Sequence, residues 1–189
     1  MVELWRLGRN RYGRALYDRL TAAGVTATWM SEYRAPLTET ATAVGAGPIT
    51  IECCGPAAVE PLAAPVGELL DDELVVAAFD GDTPVGYLFC SLDATLDVAP
   101  LERRLSFEGA YLRRVYVDPD HRERGVASAL VTAACRRARQ QGAERATALV
   151  ARDNVPSRAL FESHGFEVVR DRRYVRLGPV SHRSVRTRR

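Results

Sequence analysis

Hydrophobic and polar positions along this chain follow two periods, and each period predicts a different kind of element. A repeat of three to four residues predicts a helix over "RGVASALVTAACRRARQQG" (124–142), with Val126 and Leu130 on its apolar stripe. The same period predicts a helix over "VPSRALFESH" (155–164), capped by Asp153 or Asn154. A third stripe predicts a helix over 11–24, and prolines break up helical segments over 57–70.

Short β-branched or alternating runs between these helices predict strands. They cover 25–33, 49–54, 74–80, 85–92, 110–117, 145–151, 166–170 and 173–177. The segments 38–48 and 96–109 are predicted to be loops, the second with some helical character. The strand, helix and strand at 110–151 imply a parallel pair with a right-handed crossover, whereas the hairpins imply antiparallel pairs. The expected fold class is therefore α/β (α+β), a mixed sheet with helices on its faces.

Composition places the chain among ordinary globular proteins. Its 189 residues suit one domain, or one domain with an extension. No apolar run is long enough for a membrane span, and charges interrupt the N-terminus where a signal peptide would be apolar, so we expect a cytoplasmic protein. The four cysteines include no C-x-x-C pair, so neither a metal site nor a disulfide framework is expected.

Charge is concentrated in the tail. Lysine is absent, which excludes a Schiff-base lysine and a P-loop lysine. The last nine residues carry four arginines and no acid, and removing these arginines turns the net charge of +2 into −2. A near-neutral body argues against a broad nucleic-acid surface. We expect residues 178–189 to be a basic, disordered tail, with nucleic-acid tethering through it as the less favoured alternative.

"HRERGVASAL" (121–130) lies where a strand ends and a helix begins. It could be a solvated turn whose glycine gives backbone freedom. It could also be an anion site, because the free amides and the dipole of a helix N-terminus favour a phosphate. Arg122 and Arg124 could then add charge-assisted contacts, and Gly125 would allow close approach of the backbone.

Two motifs here resemble the GCN5-related N-acetyltransferase (GNAT) family. "VYVDPDHRERGVASALV" is similar to its motif A, with R-x-x-G-x-A at Arg122, Gly125 and Ala127. "NVPSRALFESHGFEVV" (154–169) is similar to its motif B. The resemblance covers about residues 48–177. It implies a mostly antiparallel twisted sheet with a central splayed parallel strand pair, which holds acetyl-CoA as the acyl donor without a metal.

The resemblance also implies which residues contact the cofactor. The pantetheine arm would pair with the strand, the pyrophosphate would lie on the loop amides, and two residues of motif B would approach the arm and the thioester. These cofactor-binding candidates are Val115, Tyr116, Val117, Arg122, Glu123, Arg124, Gly125, Val126, Ala127, Ser128, Asn154 and Phe161. Asn154 could equally be only a helix cap, and Phe161 could be plain core. Arg113 and Arg114 point to opposite faces by alternation, so at most one reaches a given site.

Catalytic groups are harder to assign. Many family members carry a tyrosine where this chain has Phe161, and others carry a glutamate where it has Leu149 or Tyr111. Glu108 and Tyr111 are the catalytic candidates, with Tyr116 and Tyr174 as further ones. A solvated loop carboxylate is an alternative role for Glu108, and packing is one for Tyr111.

We therefore expect an acetyl-CoA-dependent N-acetyltransferase acting on a primary amine of a small molecule, amino acid or peptide. The alternative is a CoA-binding protein without catalysis, with a regulatory or sensor role. Residues 1–47 would form an N-terminal extension with a helix and a strand, packed on the domain. Residues 48–177 would form the catalytic domain. No membrane or nucleic-acid partner is expected, and a homodimer contact through the extension is left open.

Overall fold

The computed structural model describes residues 25–37 and 48–188. The helix expected over 11–24, and residues 38–47 of the loop expected over 38–48, lie outside these described residues. The strand expected over 25–33 is present and runs further, to Pro36.

Ten strands and two α-helices make up the described part of the chain. The strands are β1 (Val25–Pro36), β2 (Ile49–Cys54), β3 (Leu74–Asp80), β4 (Thr83–Leu92), β5 (Thr95–Val98), β6 (Arg103–Ser106), β7 (Ala110–Val117), β8 (Arg145–Ala151), β9 (Glu167–Leu177) and β10 (Val180–Thr187). The helices are α1 (Val126–Gln140) and α2 (Val155–Ser163). Short 3-10 helices cover Pro56–Leu62, Val66–Glu68, Ala99–Leu101 and Pro119–His121.

Eight strands form one sheet in the order β10-β9-β1-β8-β7-β4-β3-β2. The β7–β8 pair is parallel, as the crossover through α1 requires, and the other pairs are antiparallel. β1 lies between β8 and β9 and pairs with both over most of its length. The N-terminal strand is therefore an inner part of the sheet, rather than an element packed on a finished domain.

Four segments differ from the sequence predictions. Residues 95–106 form a second, two-stranded sheet of β5 and β6 instead of a loop, and the proline-broken segment forms 3-10 helices. The two short strands expected over 166–177 are one strand, β9. The tail expected to be disordered forms β10, because its backbone pairs with β9 from Val180 to Thr187. Every residue of β10 is exposed, so the strand has no apolar pattern that a sequence could reveal.

The large sheet separates two layers of packing. We call the face that carries Leu88, Leu112 and Ala148 the helix face, because α1 and α2 pack there. The opposite face, with Phe89 and Tyr111, is the hairpin face. The 3-10 helix Pro56–Leu62 and the β5–β6 hairpin cover it. The predicted fold class, a mostly antiparallel mixed sheet with a parallel pair and helices on its faces, is confirmed.

Close packing of α1 on β4 depends on Gly86. A Cβ there would lie 2.9 Å from the Tyr116 carbonyl oxygen and 3.3 Å from Leu130 Cδ1. We expect Gly86→Ala to lower the free energy of unfolding by about 1–3 kcal/mol, measured by urea denaturation, because backbone and helix must shift apart. Gly67→Ala is the control, since a Cβ there meets nothing within 4 Å. Equal losses in the two variants would show that α1 is not seated this closely on β4.

Asp171 holds the end of β10 against β9. Its buried carboxylate accepts hydrogen bonds from Ser31 Oγ (2.7 Å) and Arg188 Nε (2.9 Å). Burial alone would raise the pKa of Asp171, but these hydrogen bonds and the charges of Arg188 and Arg152 lower it below its ordinary value. The depressed pKa means that the carboxylate stabilises the fold above its unfolded pKa of about 3.9. That contribution is lost as the pH falls through the lower folded value.

Asp171→Asn should therefore flatten the acid dependence of stability. We expect the free energy of unfolding of this variant to fall less than that of the wild type between about pH 5 and pH 2, measured by urea denaturation at each pH. Asp97→Asn should keep the wild-type slope, because Asp97 is 74% exposed in a surface pair with Arg104. An unchanged slope in Asp171→Asn would mean that this contact does not stabilise the fold.

Candidate cofactor and acceptor site

The parallel pair of β7 and β8 opens after only three residue pairs. Ala110, Tyr111 and Leu112 lie opposite Ala146, Thr147 and Ala148, and no further residues of the two strands are paired. On its other edge β7 stays paired with β4 as far as Val117. The edge of β7 that faces β8 therefore has no strand partner from Arg113 onward within the described residues. A backbone edge of this kind can pair with an amide-containing chain that enters between the strands.

A bulge in β7 accompanies this splay. Two steps along β4, from Tyr87 to Phe89, match three steps along β7, from Tyr116 back to Arg113. The bulge includes Arg114, whose φ of +56° is in the left-handed region that a non-glycine residue seldom occupies. The bulge bends β7 and changes the direction of its second half. No feature of the sequence indicates this bulge, since a glycine is the usual mark of such a conformation.

The loop that follows β7, residues 118–125, leads into the N-terminus of α1. We call it the α1 loop. Asp118 caps its 3-10 turn by accepting from the Asp120 amide at 3.0 Å. Gly125 has a φ of +78°, and a Cβ there would meet nothing within 4 Å. The first amide to donate within α1 is that of Ala129, to the Gly125 carbonyl at 2.9 Å.

The first turn of α1 and the loop before it carry unused backbone donors. The amides of Val126, Ala127 and Ser128 precede the first intrahelical bond, so they are free donors at the positive end of the helix dipole. Open space above Gly125 gives an anion access to them. The structure thus brings together the loop residues that the sequence analysis singled out, at the open end of the splayed strands.

Arg122 and Arg124 differ in how they support this loop. Arg122 Nε donates to the Val117 carbonyl at 3.0 Å, so this side chain fastens the loop to the end of β7. Arg124 is exposed, and its guanidinium forms no hydrogen bond or ion pair with a described residue. Its charge is the one that remains available to a ligand, whereas sequence reasoning had treated the two arginines alike.

Ser128 makes a contact that the sequence analysis missed. Its hydroxyl lies 3.0 Å from His164 Nε2, and His164 Nδ1 lies 2.8 Å from the Leu160 carbonyl. His164 Nε2 also lies 3.2 Å from the Ser128 backbone carbonyl, so each ring nitrogen is within hydrogen-bond distance of a carbonyl oxygen. His164 thereby ties the first turn of α1 to the C-terminus of α2. The histidine before the glycine of "SHGF" was visible in the sequence, but its partner, 36 residues away, was not.

The two motif B candidates have structural roles. Asn154 caps α2, because its side-chain oxygen accepts from the Ser157 amide (3.4 Å) and its amide nitrogen donates to Ser157 Oγ (2.8 Å). Phe161 is 3% exposed and packs edge-to-face on Phe166, with ring centroids 5.1 Å apart. It belongs to the core under the helices. The contacts of Asn154 and Phe161 with a cofactor remain predictions.

The two catalytic candidates lie apart. Glu108 precedes β7 at its closed end, with a side chain that is 85% exposed and paired to Arg145 at 3.2 Å. The structure does not bring it to the splay. Tyr111 lies on the last paired stretch before the strands separate, stacked on Phe107 with ring centroids 4.1 Å apart. Burial raises the pKa of Tyr111 to about 12, so its phenol stays protonated at neutral pH.

The charged groups on the hairpin face are already paired. Arg113 holds the fully buried carboxylate of Glu73 through Nε (2.9 Å) and Nη2 (2.5 Å). Arg172 donates to Glu32, which is 1% exposed, with Nε (3.1 Å) and Nη2 (2.6 Å) on the same oxygen, Oε2. Arg114 extends to Glu68. These carboxylates shape this side of the splay, and their arginine partners already occupy their oxygen atoms.

No group of three or more histidine, cysteine, aspartate or glutamate side chains that could hold a metal ion occurs among residues 25–37 and 48–188. Neither described helix is long and apolar enough to cross a membrane.

A splayed parallel pair, a bulged strand and an open helix N-terminus together define an α+β protein with an unpaired strand edge beside the start of a helix. Comparison with known proteins then gives the family. The model of the acetyltransferase (GNAT) family matches residues 51–166, more than half of the chain. The chain therefore belongs to the GNAT family, as the resemblance of its two motifs predicted.

Solved structures show the same fold at low identity. A Drosophila protein matches with a TM-score of 0.59 and 14% identity, over 88% of this chain and 57% of its own. A GNAT-family protein from Novosphingobium aromaticivorans matches with a TM-score of 0.59 and 16% identity, over 82% and 66%. A GCN5-related N-acetyltransferase from Sphaerobacter thermophilus matches with a TM-score of 0.53 and 17% identity, over 93% and 57%. This chain thus spans less than two thirds of each of these proteins. No curated protein matches it.

Proposed function

We propose that this chain is an acetyl-CoA-dependent N-acetyltransferase that acetylates a primary amine of a small molecule, amino acid or peptide. The observation that carries the proposal is the unpartnered edge of β7 beside the free amides of α1. A ligand that combines an amide-containing arm with a pyrophosphate matches both parts of this arrangement. A cytoplasmic location and a homodimer remain predictions.

The residues fit the parts of acetyl-CoA in order. The backbone of Val115, Tyr116 and Val117 would pair with the pantetheine arm along the open edge of β7. The amides from Glu123 to Ser128 would bind the pyrophosphate, with Arg124 adding its charge. Acetyl-CoA supplies the thioester, whose C–S bond breaks as the attacking amine forms the new C–N bond. The hairpin face, opposite the helices, is the side from which the amine would approach.

Tyr111 is the best-placed group for proton chemistry. No described residue forms a hydrogen bond with its hydroxyl, and burial keeps it protonated. It would therefore act as a hydrogen-bond donor rather than as a base. A leaving thiolate needs little help, because the pKa of a thiol is only about 8.5. The amine would lose its proton to water, since the nearby carboxylates are held by arginines.

The Tyr111→Phe variant should distinguish hydrogen-bond donation by the Tyr111 hydroxyl from packing of its ring. We expect the variant to bind CoA like the wild type but to lose about tenfold in kcat, because the phenyl ring keeps the stack on Phe107 and only the donor is lost. Steady-state release of free thiol measures kcat, and calorimetry measures CoA binding. A variant with unchanged kcat would leave Tyr111 with a packing role alone.

The activity itself is tested by two measurements on the same sample. We expect acetyl-CoA to raise the melting temperature of the full chain, and at least one member of a panel of primary amines to release free thiol from it. Stabilisation without turnover of any amine would favour the second candidate, a CoA-binding protein without catalysis. The replacement of the usual motif B tyrosine by Phe161, buried in the core, motivates that candidate. If neither stabilisation nor turnover occurred, both candidates would be wrong.

A further inference from the structure

A groove lined by arginines lies on the helix face, beyond α2. Its volume is about 430 Å³, which is within the range of small-ligand sites. Trp29 of β1 forms its floor, Arg152 follows β8, Arg173 lies on β9, and Arg186 and Arg188 come from β10. We call it the arginine groove. The α1 loop contributes no residue to it.

Trp29 organises two of these arginines. The guanidinium carbon of Arg152 lies 3.4 Å from the centroid of the indole ring, and that of Arg173 lies 3.6 Å from it. Both distances are van der Waals contacts, so two groups this close to one centroid must cover opposite faces of the ring. Each cation is held by the ring quadrupole. The N–H groups of both guanidiniums are left for acceptors outside the ring.

The acceptors for these donors are missing from the described protein. Within residues 25–37 and 48–188, no carboxylate or carbonyl bonds the guanidiniums of Arg152, Arg173 or Arg186. Trp29 Nε1 is buried and likewise has no acceptor there. The one acid that lines the groove, Asp171, is taken up by Ser31 and Arg188. The groove therefore carries an excess of positive charge and several unused donors.

Such a cluster differs from the other arginines of the sheet. On the hairpin face, Arg113 and Arg172 each meet a buried carboxylate. In the groove, four arginines converge on the single carboxylate of Asp171, which is unfavourable unless a further anion joins them. Planar guanidiniums match phosphate and carboxylate oxygens, and several of them around one small space select a ligand with more than one anionic group.

We propose that the arginine groove binds a small ligand with two or more closely spaced phosphate or carboxylate groups, at a site separate from the α1 loop. The size of the groove favours a small molecule over an extended nucleic-acid strand. The site does not depend on acetyl transfer, because none of its residues belongs to the proposed cofactor site. Formation of β10 is required, since Arg186 and Arg188 come from that strand.

The test must keep the α1 loop from binding the probe. Inorganic pyrophosphate and citrate are therefore titrated by calorimetry into full-length Gly125→Glu, in which the α1 loop is blocked. We expect at least one of the two anions to bind, and Arg173→Gln in the same background to weaken it by about tenfold or more, since a charge-assisted contact is lost. Arg136→Gln, an exposed arginine of α1, is the charge-matched control and should leave the affinity unchanged.

Several results would overturn the proposal. One is that neither anion binds, and another is that Arg136→Gln weakens binding as much as Arg173→Gln does. A third, in the otherwise wild-type chain, is that Arg173→Gln weakens CoA but not dephospho-CoA, which would make the groove the place of the 3′-phosphate of bound CoA. The last is that a single-stranded oligonucleotide binds through Arg173 while both small anions do not. Pyrophosphate or citrate binding that depends on Arg173 would support the groove even if CoA did not bind the chain.

Discussion

A chain with Gly125→Glu is expected to lose CoA affinity by about 100-fold or more while it stays folded. The new carboxylate would stand in the open space above the free amides of α1, where the pyrophosphate should lie. Two like charges about 4 Å apart near a protein surface repel by about 4 kcal/mol, and each 1.4 kcal/mol is tenfold in affinity. The side chain would also bond the same amides that the ligand needs.

The control for this variant is Gly142→Glu at the other end of α1. Gly142 has a φ of +93°, and a Cβ there also meets nothing within 4 Å, so the substitution brings a similar backbone strain and the same charge. We expect it to bind CoA within about twofold of the wild type, because it lies beyond the C-terminus of the helix. Calorimetry with CoA, together with circular dichroism of both variants, makes the comparison. Equal losses of affinity would mean that charge or strain alone, and not this loop, controls binding.

Arg113→Met is expected to lower the free energy of unfolding by about 3–5 kcal/mol, the largest loss of stability that we predict. The side chain of Glu73 is fully buried, and Arg113 is its only positively charged partner among the described residues. Methionine keeps much of the volume but removes the charge. The buried carboxylate would then keep only the Leu70 amide (3.0 Å) and the Ser91 hydroxyl (3.2 Å).

The neighbouring residue provides the control. Arg114 pairs with Glu68, and both side chains are about half exposed. A pair of this kind contributes about 1 kcal/mol or less, so Arg114→Met should be nearly neutral in the same urea denaturation experiment. If the two variants lost equal stability, the pairing of Arg113 with Glu73 would not be a buried ion pair of the kind that the structure describes.

The sequence predicted β7, α1 and β8 almost residue by residue. Their apolar periods are clear, and Gly125 and Gly142 mark the ends of the helix. The bulge at Arg114 could not be predicted, because an arginine in a left-handed conformation has no sequence signature. The splay was expected only from the family resemblance, because the hydrophobic period of a sequence does not show over how many residues two parallel strands stay paired.

The positions of β1 and β10 lay beyond prediction for physical reasons. β1 buries Glu32 and Ser31, whose partners lie far along the chain. Its sequence therefore has the polar pattern of a surface strand, although the strand lies inside the sheet. β10 is held by its backbone ladder, by Arg188 on Asp171 and by Arg183 over the ring of Tyr174 (4.4 Å). A strand that depends on main-chain bonds and arginines has the same composition as a disordered tail.

Few side chains near the splay are available for catalysis. Of the two leading candidates, Glu108 and Tyr111, only Tyr111 lies next to the splay, and burial keeps its phenol protonated. The nearby carboxylates of Glu32 and Glu73 are committed to arginines. The proposed chemistry therefore depends mainly on positioning the thioester and the amine, which can contribute a large part of a rate enhancement without a dedicated base.

Hydrogen–deuterium exchange of the full chain with and without acetyl-CoA tests the central claim most directly. The claim is that the arm of the cofactor pairs with the open edge of β7 while its pyrophosphate lies on the amides of α1. We predict that acetyl-CoA slows exchange in two separate segments, 113–117 and 123–128, and that Gly125→Glu abolishes both effects. Protection that is absent from these two segments, or that appears only elsewhere in the sheet, would contradict the account.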